Sequence, residues 1–146
     1  MKRLYFDTSV LVAALVHEPG TSIALHFLRA NAEQVWFISP WVSSELASAL
    51  ALQGRRGVIT TEERQHAWKR FEALREGRLQ TVLLEPVDFD CAALLSLAEA
   101  PPLRAGDALH LSICLRLNLL LVSFDIGLCR AASHHQLPVE ELRIPT

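Results

Sequence analysis

The chain has 146 residues, which suits one compact domain and leaves no room for two ordinary ones. Apolar residues make up 51%, enough for a sizeable core and too many for a disordered chain, and the formal net charge of −2 does not mark a bulk nucleic-acid binder. Three cysteines, Cys91, Cys114 and Cys129, stand far apart with no C-x-x-C, so neither a zinc knuckle nor a disulfide framework is expected, and reduced thiols in a cytoplasmic protein are.

Lys2 and Arg3 precede apolar residues as in a signal peptide. Asp7 interrupts the apolar stretch, however, and no small-residue cleavage site follows, so the segment is expected to belong to the mature protein. No apolar run approaches the length of a membrane span. Leu4 to Phe6 is a predicted strand, and Ser9 is placed to cap a helix running to about His17. Residues 18–21, "EPGT", break that helix, and Thr21 or Ser22 caps a second one to about Ala32. "VWFI" at 35–38 is the second strand. Ser39 and Pro40 then form an N-cap followed by a first-turn proline, opening a helix that carries Glu45 and ends near Gly54. Thr60 and Glu63 fit a capping box for the next helix, to about Glu76.

"TVLLE" at 81–85 is expected to be the third strand, with Asp88 capping a helix through Leu97. A proline-containing loop, "APPLRAG", leads to a helix from about Gly106 to Leu117. "LLLVSF" at 119–124 is the fourth strand, Asp125 starts a helix to about His134, and a weak strand lies around Val139. Short apolar strands separated by helices predict a parallel sheet covered on both faces. The expected architecture is a three-layer α/β/α sandwich on four to five parallel strands, one domain over residues 1–146.

Two of the strands end alike. "RLYFD" and "LLLVSFD" each run from apolar residues through phenylalanine to aspartate and then into a helix. The chain has five aspartates, and Asp7 and Asp125 fall at the carboxyl ends of predicted parallel strands, the edge where open α/β sheets bind ligands. Helix capping is the plainer use of both, although Thr8 and Ser9 could relieve Asp7 of that task.

Glu45 lies beside the apolar stripe of Val42, Leu46, Ala49 and Leu50, and can point at the same edge. Asp107 sits in a helix first turn, where the helix dipole favours a negative charge. His110 follows on the same face, and a packed or hydrogen-bonded histidine is favoured there over a metal ligand. If the four acids converge, they cannot all stay ionised unaided. A hard divalent ion such as Mg2+ or Mn2+ resolves this, and it would also activate water for attack on phosphorus.

The segments "DTSVLVAAL", "HEPGTSIA", "SPWVSSELASAL", "LRAGDALHLS" and "LLLVSFDIGLCRAA" together resemble the PIN domain, in particular the toxin ribonucleases of VapBC toxin–antitoxin systems. The resemblance runs from Tyr5 to about Ala132 and includes all four acids. It implies RNA cleavage with one or two Mg2+ or Mn2+ ions, a cognate antitoxin that blocks the site, and a homodimer. By resemblance, Asp7, Glu45, Asp107 and Asp125 are the catalytic, metal-binding set, with Asp7 and Asp107 the most direct ligands. Glu45 and Asp125 would bind a second ion or orient waters. Thr8, Ser9 and Ser123 would be supporting hydroxyls, Ser123 standing where many relatives have threonine.

Residues 55–78 hold seven of the 14 basic residues, against four glutamates. Arg55, Arg56, Arg64, Lys69 and Arg70 are therefore candidates for RNA contact, with an ordinary solvated helix face as the plainer use. Trp41 and Trp68 are candidates for stacking on bases. Two other readings remain. A binding module without catalysis would keep the fold and the partner surface. Phosphotransfer needs a lysine beside the acids; the chain has only Lys2 and Lys69, neither at the end of a predicted strand, and D-x-D is absent at Asp7.

Overall fold

The computed structural model describes all residues from Met1 to Thr146. Five strands form one sheet: β1 (Arg3–Phe6), β2 (Val35–Ile38), β3 (Leu79–Thr81), β4 (Leu120–Ser123) and β5 (Val139–Glu141). Their spatial order is β3-β2-β1-β4-β5, and every pairing is parallel. Parallel neighbours need crossovers, and seven helices supply them: α1 (Thr8–Leu15), α2 (Thr21–Ala30), α3 (Pro40–Arg55), α4 (Thr61–Gly77), α5 (Pro86–Leu97), α6 (Ala105–Leu117) and α7 (Ile126–His134). Helix α1 contacts α2, α3 and α4, while α6 contacts α5 and α7. Right-handed crossovers from a sheet of this order put those two groups on opposite faces, giving the α/β/α sandwich.

The sheet is apolar because both faces are covered. Leu4, Tyr5 and Phe6 are all buried, with no alternation along β1. Helix α6 is buried continuously from Ala108 to Cys114, so it carries no polar stripe. No helix is long and apolar enough to cross a membrane.

Several local expectations are corrected. The third strand is Leu79–Thr81, not 81–85. Leu79 pairs with Trp36 and Thr81 with Ile38; beyond Val82 the chain leaves the sheet, and Leu83 is exposed. Asp88 does not occupy the N-cap of α5. Glu85 does, with Pro86 in the first turn and Asp88 answering from three residues on in a capping box. Buried Asp88 also takes Arg116, which holds its carboxyl below the usual range despite the upward push of burial. The second helix is preceded by Gly20 at the N-cap, and Thr21 instead bridges Glu18 and Val16 through its hydroxyl. The capping box of Thr60 and Glu63 forms as expected.

The strand order reverses direction between β1 and β4, the strands that lead to Asp7 and Asp125. That seam is the topological switch point, where adjoining crossovers diverge and leave a crevice at the carboxyl edge.

Candidate active site

Asp7 directly follows β1, occupying the N-cap position of α1, yet its side chain makes no well-formed capping hydrogen bond. Its oxygens are engaged sideways: Ser9 Oγ donates to Oδ1 at 2.6 Å and Ser123 Oγ donates to Oδ2 at 2.5 Å. Ser9 thus does not cap the helix, which begins at Thr8 with Asp7 at the N-cap position, two residues earlier than expected. Its oxygen also accepts the Phe124 N–H at 3.0 Å, and Ser123 Oγ accepts the Asp125 N–H at 2.9 Å. The two hydroxyls therefore stitch the end of β1 to the end of β4. Burial pushes the Asp7 carboxyl above its ordinary range; nearby His110, both serines and the Val10 backbone pull the other way.

Asp125 does use its side chain as a cap, accepting the Leu128 N–H at 2.9 Å. One oxygen is thereby engaged, and the other remains for the crevice. Asp125 and Asp107 line one concavity of about 350 Å3, walled by Pro102, Leu103, Arg104, Gly127 and Leu128. Arg104 is the basic residue there, exposed at the N-cap of α6. It was not singled out from the sequence; its position three residues before Asp107 was the available signal.

Asp107 sits in the first turn of α6. Its carboxyl is pushed up to about 6, first by burial and then by the negative charge of Asp125, with smaller pushes from Asp7 and Glu45 against the pull of His110. Asp107 therefore lies within reach of the charge of the other three acids. Glu45, in the second turn of α3, is clamped on Oε1 by Thr8 Oγ1 at 2.6 Å and by His110 Nε2 at 2.5 Å. Burial pushes the Glu45 carboxyl up, but His110 and Thr8 outweigh this and hold it below its ordinary range. A side chain at Gly106 would meet Oε2 of Glu45 at 3.0 Å, so glycine is what lets α6 pass this close to α3.

No three His, Cys, Asp or Glu side chains are placed to close on one ion as they stand. The chemistry of the donors nonetheless suits a hard cation: four carboxylates, of which Asp107 is raised to about 6 by burial and by its acidic neighbours. Asp7 and Asp107 would hold such an ion most directly, with Glu45 and Asp125 flanking.

The basic stretch lies elsewhere. Arg55 ends α3 and Arg56 follows it, about 15 Å along the helix from Glu45. Arg64 and Lys69 line the largest groove, about 580 Å3 between α3 and α4, together with Trp68. Arg70 faces a different groove, against α1 and α2. Arg78 is spent on structure, donating to the carbonyls of Ala32 and Gln34 and lying 3.7 Å over the Trp36 ring. Trp41 packs among Phe89, Ala92, Ala105 and Leu109. Its indole N–H is buried without a partner.

The family model described as the PIN domain matches residues 4–133. No curated protein matches the chain. Among solved structures, VapBC2 from Rickettsia felis bound to a DNA fragment from their promoter aligns with a TM-score of 0.69 at 19% identity, covering 95% of this chain and 98% of that one. FitAcB from Neisseria gonorrhoeae aligns with a TM-score of 0.67 at 19% identity, covering 93% and 95%. Mycobacterium tuberculosis VapC20, a sarcin–ricin loop cleaving toxin, aligns with a TM-score of 0.67 at 17% identity, covering 88% and 94%. At these identities the likeness is one of fold.

Proposed function

This chain belongs to the PIN domain family, and from that premise we propose that it is a metal-dependent endoribonuclease, the toxin of a toxin–antitoxin pair. The observation that carries the reading is the gathering of Asp7, Glu45, Asp107 and Asp125 at the switch-point crevice, where burial and the charge of the other three raise Asp107 to about 6. Four carboxylates gathered around a single imidazole make a donor set that a hard cation such as Mg2+ or Mn2+ would balance.

One or two ions bound there would lower the pKa of a water and offset the charge that builds on phosphorus during in-line attack. The chain's own contribution is placement. Ser9 and Ser123 fix the Asp7 carboxylate from two sides, and Thr8 holds Glu45. Arg104 stands at the mouth, where a guanidinium can pair with a backbone phosphate of RNA and steer the strand past Asp107 and Asp125. Arg64, Lys69 and Arg70 line other grooves, and with Arg55 and Arg56 at the end of α3 they would be peripheral contacts for a long RNA.

Partners are proposed on the same footing. The VapBC2 neighbour is a toxin–antitoxin complex by its name, which supports a cognate antitoxin here. Leu83, Val87, Phe89, Leu94 and Leu97, on or beside α5, are large, apolar and exposed, which supports a protein partner or a second copy on that side. Three free cysteines accord with a cytoplasmic setting.

The test is RNA cleavage by purified, antitoxin-free protein in Mg2+ or Mn2+, with and without chelator. Wild type should cut only with metal, and Asp7→Asn should not cut. A folded protein that takes up the ion but cuts no RNA would be a binding module instead. Equal cleavage by Asp7→Asn would place the site elsewhere.

A further inference from the structure

Behind Glu45 runs a chain of buried polar groups that the proposed reaction leaves unexplained. Tyr5, from β1, is fully buried, as is Ser39 at the start of α3, and His110 is 1% exposed. Tyr5 Oη lies 2.8 Å from Ser39 Oγ and 2.8 Å from His110 Nδ1. His110 Nε2 lies 2.5 Å from Glu45 Oε1. The four residues come from β1, the β2–α3 junction, α3 and α6, and the chain ends on an acid of the candidate site.

We infer that His110 is a positioning residue for Glu45, and that Tyr5 sets the imidazole tautomer in which it can act. The inference rests on the reading of Glu45 as part of a metal site. An ionised carboxylate only accepts hydrogen bonds, so Nε2 donates to Glu45. In the neutral ring the Nδ1 lone pair then accepts the Tyr5 hydroxyl proton, and the Tyr5 oxygen accepts from Ser39. All donors point one way, from Ser39 through Tyr5 and His110 to Glu45.

With Thr8 also donating to Oε1, that oxygen is occupied, and Oε2 beside Gly106 is the oxygen offered to a cation. The arrangement resembles the outer partners of metal-ligating groups, which fix orientation and strengthen binding without touching the ion. Here the partner of the acid is a histidine held by a phenol.

The test measures Mn2+ affinity by calorimetry on the full, antitoxin-free chain, with thermal unfolding in chelator run beside it. Tyr5→Phe removes one hydroxyl and keeps the ring. His110→Gln places an amide N–H near the Nε2 position, whereas His110→Asn reaches only the Nδ1 position. Tyr5→Phe and His110→Asn should each weaken Mn2+ binding about tenfold. His110→Gln should retain most of the affinity, and the double variant Tyr5→Phe/His110→Asn should be no weaker than His110→Asn alone.

Asp107→Asn reports on the site itself. If it loses Mn2+ while Tyr5→Phe and His110→Asn bind as wild type, the polar chain is structural only and the inference fails. If Asp107→Asn binds as wild type, or wild type takes up no Mn2+, the metal reading falls and takes the inference with it. Nitrogen-15 NMR of His110 in wild type needs no variant to fold. A proton on Nε2 with bare Nδ1 is expected at mildly alkaline pH, and the opposite tautomer would overturn the proposal.

Discussion

Ser123, the last residue of β4, donates a 2.5 Å hydrogen bond to Asp7, which directly follows β1, across 116 residues of chain. The same hydroxyl accepts the Asp125 N–H, so one buried oxygen sets the positions of two acids. Ser123→Ala should therefore cost more than a single surface hydrogen bond. A buried carboxylate losing a donor predicts a loss of about 1–3 kcal/mol, visible as a lowered midpoint in chemical denaturation. RNA cleavage should fall as well, because Asp7 then has only Ser9 to orient it. A Ser123→Ala protein with unchanged stability would mean that Asp7 does not depend on this contact.

The acids make metal-free stability depend on pH with a definite sign. Asp107 is raised to about 6 in the folded protein, and Asp7 is raised too. Between their unfolded and folded values the folded state binds more protons, so stability falls as pH rises. The contribution is complete below the ordinary carboxyl range and lost through about pH 6 for Asp107. Glu45, lowered, acts oppositely and destabilises only as pH drops below its ordinary range. In chelator, the thermal midpoint should decline as pH rises toward neutrality, and Asp107→Asn should flatten that decline. Mn2+ should raise the midpoint more at neutral pH than in acid, since binding must displace the proton. An identical pH profile for Asp107→Asn would show that neither burial nor its neighbours raise Asp107.

Gly106→Ala tests how closely α6 must approach α3. The new methyl would stand 3.0 Å from Glu45 Oε2 and 3.4 Å from the Trp41 indole. Glu45 is held by two hydrogen bonds on its other oxygen, so its carboxylate must turn to make room. The helix itself gains from alanine by up to about 1 kcal/mol, which offsets part of the crowding. The expected outcome is a folded protein whose thermal midpoint moves little and whose cleavage rate drops about tenfold, as for a small misplacement of a catalytic group. Wild-type cleavage by this variant would remove Glu45 from the working site.

Arg104 and the 55–78 stretch make opposite predictions for RNA. Arg104→Ala should leave stability unchanged, because the side chain is exposed and has no ion-pair partner. It should weaken binding of an uncleaved RNA by the Asp7→Asn protein and reduce the slope of log affinity against log salt by about one. Lys69→Ala and Arg70→Ala, on two separate grooves, should do neither for a short RNA.

The ends of β1 and β4 were legible because an apolar run that stops at an aspartate is rare, and its repetition pointed to a shared edge. Capping was the competing explanation, and the structure divides it: Asp125 caps α7 with its side chain, Asp7 makes no well-formed capping hydrogen bond. β3 was misplaced because it is a sheet-edge strand of Leu79, Gln80 and Thr81, with only one buried residue, beside a more apolar run that lies outside the sheet. Tyr5 was hidden for a different reason. A tyrosine inside an apolar strand looks like core, and its partner His110 is 105 residues away. Whether a helix glutamate such as Glu45 faces solvent or the sheet edge depends on helix rotation, which only packing decides. Facing was not legible in the basic stretch, because charge density along the chain does not set it: neighbours Lys69 and Arg70 look into different grooves.

The seam between β1 and β4 also bears on timing. During synthesis, the first hundred residues carry Asp7 and Glu45 but neither Asp107 nor Asp125, and the serine that grips Asp7 is still to come. β4 must slide in beside β1 before four acids face one another. On the proposed nuclease reading, the four-acid site cannot be complete until the last quarter of the chain has been made, so a partner that blocks it could bind the site as it forms.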